Sequence, residues 1–107
     1  MISFDEFKKV EMKVGRVIEA ERVEGTKNLI KMIVDFGGER RQVISGIAKW
    51  YKADDLINRL LVFVTNLEPK VIRGLKSEAM VLAAEDDEGN IYLVTVDGRP
   101  KAGSRVY

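Results

Sequence analysis

Apolar and polar residues alternate along most of the chain with a period of two, the pattern of half-buried strands. In "VEMKVGRVIEAERV", Val10, Met12, Val14, Ile18 and Ala20 fall on one face; Glu11, Lys13, Glu19 and Glu21 fall on the other. This predicts a long first strand, with Gly15 in its middle where a glycine marks a bulge or sharp coil. A turn at "EGTKN" leads to "LIKMIVDF", whose Ile30, Met32, Val34 and Phe36 share an inward face and whose Leu29, Lys31, Ile33 and Asp35 point out. "GGE" is a tight-turn signal before a third strand, "RRQVIS", with Arg41, Val43 and Ser45 read as outward. "LLVFVTNL" and "AMVLAA" are apolar runs of strand length, and "DDEGN" turns the chain into "IYLVTV".

The 3.6 period is scarce. Ser3 with Glu6 three residues on has capping-box spacing and predicts one helical turn that puts Phe4 and Phe7 on one face. "AKWYKADDLINR" is the other helical candidate, capped around Asp54. Three strands, a short helix, two strands and a C-terminal strand extension outline an all-β OB-fold: a five-stranded Greek-key barrel with a helix between strands three and four. A ferredoxin-like fold needs a helix after its first strand, and only a turn stands there. The 107 residues form one domain, with a core over about 8–85 and an extension over about 90–107.

Composition removes whole classes of chemistry. With no cysteine and no histidine, disulfides, thiolate sites, hydrolytic triads and imidazole metal sites are excluded. No nucleotide-binding loop, nucleophile–base pair or metal cluster is present, so neither catalysis by this chain nor a cofactor is expected. The absence of a long apolar run predicts a soluble, cytoplasmic protein with no membrane partner.

Net charge is only +1, but it is unevenly distributed. Residues 22–52 carry seven cations against three acids, 67–77 three against one, and 78–90 five acids and no cation. The connection "PKVIRGLKS" between strands four and five is one of the loops with which OB-folds hold oligonucleotides. Lys70, Arg73 and Lys76 supply cations for phosphates there, Gly74 permits a tight turn, and Ser77 adds a hydroxyl. Lys31, Arg40, Arg41, Ser45 and Lys49 lie on or beside strands two and three, the adjoining face of the same topology. The outward positions carry no aromatic ring for base stacking, which favours a folded RNA recognised by shape and phosphates over a general single-strand coat. Trp50 and Tyr51 read either as barrel-capping core or as contacts. Met80 by itself reads as packing.

"DEFKKVEMKVGRVIEAERV", "NLIKMIVDFGG", "RQVISGIAKWY", "LLVFVTNLEPKVIRGLKSEAMVLAAED" and "PKAGSRV" together resemble the tRNA-binding domain family over nearly the whole chain. That family occurs as a C-terminal domain or separate beta subunit of methionyl-tRNA synthetases, as free-standing tRNA-binding proteins, and in a chaperone-like branch. The resemblance implies a homodimer, with the C-terminal extension at the interface, that binds the tRNA body without reading its sequence and serves the catalytic part of the synthetase. It implicates Arg73, Ser77 and Met80 in tRNA contact, with Lys70 beside them and Lys31 as the basic strand-two position. In the first turn the family's lysine falls on Asn28, with Lys27 one place earlier, and "EGTKN" looks most like archaeal members. Two other roles stay open: a peptide-binding chaperone using Leu29, Ile33 and Val43, or a domain that only dimerises a synthetase. Whether the chain stands alone or is part of a longer one stays open too.

Overall fold

The computed structural model describes residues 1–107. α1 (Phe4–Phe7) precedes β1 (Met12–Arg22), β2 (Ile30–Asp35), β3 (Arg40–Ser45), α2 (Ala53–Leu56) and β4 (Leu60–Val64). β5 (Lys70–Ile72), β6 (Leu75–Ser77), β7 (Met80–Val81), β8 (Ala83–Glu85), β9 (Ile91–Leu93) and β10 (Arg105–Val106) follow. The main sheet runs β3-β2-β1-β4-β7, with β10 beside β1. It curls into an OB-like barrel.

β1 is the spine because it serves two partners in succession. Met12–Arg16 pair with β4, and Arg16–Arg22 pair with β2, so one strand carries the sheet around the corner. A bulge between Val17 and Glu19 resets the alternation. The predicted inward face of β1 is therefore corrected. Val17 enters the core in place of Ile18, Ala20 packs against it after the bulge, and Val14 is buried outside the core cluster. Val14 exchanges backbone hydrogen bonds with Gly103 and Ser104, where the C-terminal tail covers the β1 edge that β2 leaves unpaired. Gly15 is not the bulge. A Cβ there would stand 2.5 Å from Val34 Cγ1 and 2.7 Å from Phe36 Cε1, so glycine lets β1 pass close over the packed core.

The inward residues of β2 are those the alternation predicts: Ile30, Met32, Val34 and Phe36 are all buried. All five residues of β4 are buried, and Phe63 meets Phe36 edge to face with centroids 5.3 Å apart. In β3 the predicted faces are exchanged. Val43 lies opposite Met32 and is fully buried, whereas Arg40, Gln42 and Ile44 share the outward side of the ladder with Asp35, Ile33 and Lys31. Arg41 and Ser45 therefore belong to the inward side, opposite Val34 and Ile30.

Ser3 does cap α1, accepting from the Glu6 N–H at 3.2 Å. α2 is shorter than predicted. Asp54 lies within its first turn, and Lys52 holds the N-cap position without a side-chain cap. Leu56 fills the barrel end there. Tyr51 packs against the core and its hydroxyl accepts from the Leu93 N–H at 2.9 Å; Trp50 is half-buried outside the core cluster, with the Lys49 ammonium 5.5 Å from its ring centre.

The predicted fifth strand is divided at Leu82. β7 pairs with β4, β8 pairs with β9, and Leu82 is held between Val62 and Val94 by backbone hydrogen bonds. The extension over 90–107 is thus partly consumed within the chain, since β9 covers β8 and β10 covers β1. No helix is long and apolar enough to cross a membrane.

Candidate nucleic-acid interface

The basic connection is itself a β-hairpin and not an irregular loop. Lys70 pairs with Ser77, Val71 with Lys76 and Ile72 with Leu75, leaving Arg73 and Gly74 as a two-residue turn. Their φ angles of 52° and 78° are both positive, the signature of a type I′ turn. Glycine adopts this freely; an arginine does so at a cost of about 1 kcal/mol. The turn thrusts the Arg73 guanidinium outward at the hairpin tip.

Beside that tip lies the turn between β1 and β2. Gly25, Thr26, Lys27, Asn28, Leu29, Ile72 and Arg73 line a groove enclosing about 460 Å³. The turn is held in place locally: the Thr26 hydroxyl donates to the Val23 carbonyl, Arg22 to the Lys27 carbonyl, and the Ala48 N–H to the Asn28 carbonyl. The Val23, Lys27 and Asn28 carbonyls are thereby satisfied, while the Lys27 and Arg73 side chains form no ion pair. No acidic residue lines the groove.

A second depression lies between the hairpin and the barrel wall. Ile44, Ser45, Leu67, Glu68, Lys70, Ile72, Ser77, Ala79, Met80 and Val81 enclose about 210 Å³. Ser77 is at its base, only 7% exposed, and its hydroxyl accepts from the Ile44 N–H at 2.9 Å and reaches the Ala79 carbonyl at 3.2 Å. Within the chain the hydroxyl closes the barrel between β3 and the hairpin. Glu78 adds to the same seam. Its N–H donates to the Gln42 carbonyl, its carboxylate accepts from the Gln42 N–H, and the Gln42 side chain donates to the Lys76 carbonyl. Met80 is 48% exposed at the cleft wall.

The remaining sequence-derived candidates lie elsewhere. Lys31 pairs with Glu21 at 2.9 Å and shares its hollow with Glu19. Arg41 is turned inward; it donates to the Thr65 and Glu78 carbonyls and pairs with Glu39 at 2.5 Å, so it works as a latch across the barrel end. Arg40 is exposed in a hollow that also holds Glu39 and Glu78. Lys49 lies against Trp50, and Lys76 projects from β6 without an ion pair. The structure therefore gathers Lys27, Asn28 and Arg73 at one groove, and Ser45, Lys70, Ser77 and Met80 at the adjoining cleft. Ile44, Leu67 and Ala79 were missed as cleft residues, because their position depends on the true face of β3 and on the hairpin folding back over it.

Two carboxylates at strand ends have depressed pKa values. The Gly38 and Gly37 N–H groups, aided by Arg16 and Arg40, hold Asp35 below its ordinary value. The Thr65 hydroxyl, with Lys13 and Arg41 in support, does the same for Glu11. Both are structural anchors at strand ends.

Residues 12–105 match the family model described as "Putative tRNA binding domain". The chain belongs to the tRNA-binding domain family. It is 47% identical over 105 residues to methionine–tRNA ligase of Methanocaldococcus jannaschii, and 45% identical over 106 residues to that of Clostridium tetani. Each match takes in 98% of this chain but only 16% of the relative, so the chain spans about a sixth of the length of these ligases. Among solved structures, a methionyl-tRNA-synthetase-related protein from Pyrococcus horikoshii superposes with a TM-score of 0.95 at 42% identity, covering 100% of this chain and 98% of that one. The chaperone CsaA from Bacillus anthracis superposes at 0.91 with 30% identity, covering 100% and 99%.

Proposed function

We propose that the chain binds the body of tRNA through phosphate contacts, without reading its sequence. It does so as an appendage or companion of the catalytic part of methionyl-tRNA synthetase in the cytoplasm, raising tRNA affinity for aminoacylation. The observation that carries this reading is the acid-free groove in which the hairpin-tip Arg73 stands beside Lys27 and Asn28. Lys70 and Lys76 extend the same field along the hairpin, and neither is neutralised by an ion pair. Chemistry belongs to the part of the ligase relatives that lies outside the stretch matched here. Phosphate binding releases counterions, so affinity for tRNA transcripts of several identities is expected to fall steeply and equally with salt. A gel-shift series across salt concentrations measures this; a flat response would rule it out.

The homodimer is part of the same proposal. Exposed Phe4, Phe7, Val10 and Tyr107, with half-buried Val106, form an apolar surface where α1 meets the chain's C-terminus. A second copy covering it is expected to give a dimer in sedimentation velocity that Phe4→Asp dissociates. A domain that only dimerises a synthetase would keep this behaviour and bind no tRNA.

A chaperone role like that named for the CsaA structure, taken here as peptide binding, has one supporting observation: Leu67, Val71 and Met80 are exposed around the hairpin. Val43 is buried and takes no part in it. Preferential capture of an unfolded polypeptide over tRNA would favour this second reading.

A further inference from the structure

We propose that the cleft beneath the β5–β6 hairpin receives one unstacked base of the bound RNA. The inference rests on the tRNA-binding reading above and assigns a role to a depression that phosphate contacts leave unused. Its size suits a single ring system. At about 210 Å³ it is smaller than the sites that hold drug-sized ligands, yet open to solvent along the hairpin.

Its chemistry suits a base better than a phosphate. Ile44, Ile72 and Met80 supply apolar walls, and Ala79 leaves room on the floor. Glu68 is the one acid in the lining, and it would repel a phosphate drawn inside. The lining includes Ser45, the Glu68 carboxylate and the Lys70 ammonium, and none has a side-chain hydrogen bond or ion pair within the chain. Together they offer donors and an acceptor to the edge of a base, and Glu68 accepts from an exocyclic amino group. An apolar peptide side chain would leave all three unanswered.

The cleft also adjoins the phosphate groove. Ile72 lines both, with Lys70 on the cleft side and Arg73 on the groove side. A nucleotide chain whose phosphates lie on Lys70 and Arg73 passes over Ile72, and a base turned inward there enters the cleft. With no aromatic ring in its lining, the flat face of that base rests on aliphatic groups and on the polarisable Met80 thioether.

The test labels the methionine methyl groups of the full 107-residue chain with carbon-13, giving four probes. On saturation with tRNA, the Met80 methyl is expected to move upfield under the ring current of the base, while those of Met1, Met12 and Met32 hold still. A saturated complex with a stationary Met80 methyl overturns the base cleft and leaves the tRNA reading intact; absence of any complex overturns both. Ala79→Leu, which fills the floor, is expected to weaken tRNA binding about tenfold with an unchanged salt slope. A loss of slope instead would mean that the cleft contacts phosphate, contrary to the proposal. If Ala79→Leu does not fold, the methyl shift in the unmodified chain decides alone. A Met80 shift with an unfolded polypeptide and none with tRNA would assign the cleft to peptide.

Discussion

The Ser77 hydroxyl accepts the Ile44 backbone N–H at 2.9 Å and so closes the barrel where β3 and the hairpin strands lack a regular ladder. A side chain does the work of a strand pair. Both groups are buried, which makes their loss costly.

Ser77→Ala is therefore expected to destabilise the fold by about 1–3 kcal/mol, the penalty of an unsatisfied buried amide. For a domain of this size that lowers Tm by roughly 4–8 °C for each kcal/mol. Calorimetry measures it. Binding of tRNA well below the new Tm should remain near that of the unmodified chain. A large affinity loss in a fully stable Ser77→Ala variant would show that the hydroxyl contacts tRNA.

Arg73 separates binding from stability. Arg73→Ala should weaken affinity for every tRNA alike and reduce the salt slope by about one, because one phosphate contact is lost. Arg73→Gly should show the same binding defect in a fold stabilised by about 1 kcal/mol, since glycine relieves the positive φ at the hairpin tip. Loss confined to a single tRNA identity would mean that Arg73 reads sequence.

Asp35 imposes an acid limit on stability. Its carboxylate accepts from the Gly37 and Gly38 N–H groups, both at 3.0 Å, and its folded-state pKa lies below the ordinary value of 3.8. The unfolded chain then binds the proton first as pH falls. Its contribution is complete above the unfolded value and is lost as pH drops through the folded one. Urea unfolding between neutral pH and pH near 2.5 should show this decline, and Asp35→Asn should flatten its Asp35 component. A variant with an unaltered acid limb would assign the decline to Glu11 and the other carboxylates.

The alternation in β2 was legible because nothing interrupts it: its three inward residues, and Phe36 just after it, are all buried. β1 and β3 misled in different ways. The bulge at Ile18 depends on how β1 changes partners from β4 to β2, and no residue within β1 announces where that happens. In "RRQVIS" either parity puts apolar residues inward, since both Val43 and Ile44 are buried. Pairing with Met32 chose Val43 for the core, and the overlying hairpin covered Ile44.

The candidate site divides along the same line. Reading along the chain is enough to show that cations cluster around "PKVIRGLKS", that cysteine and histidine chemistry is absent, and that a strand-rich barrel carries the cluster. These follow from composition and from the period of two, which are properties of neighbours along the chain. Which cations stand free depends on contacts made across the fold. Lys31 and Arg41 are held by acids and carbonyls brought to them by strand pairing, while Arg73 is lifted clear by a turn whose positive φ angles arise from hairpin closure. The Ser77 hydroxyl joins the barrel seam through Ile44, 33 residues away. Long-range register sets these fates, and register is fixed by the whole packed core rather than by any one stretch of sequence.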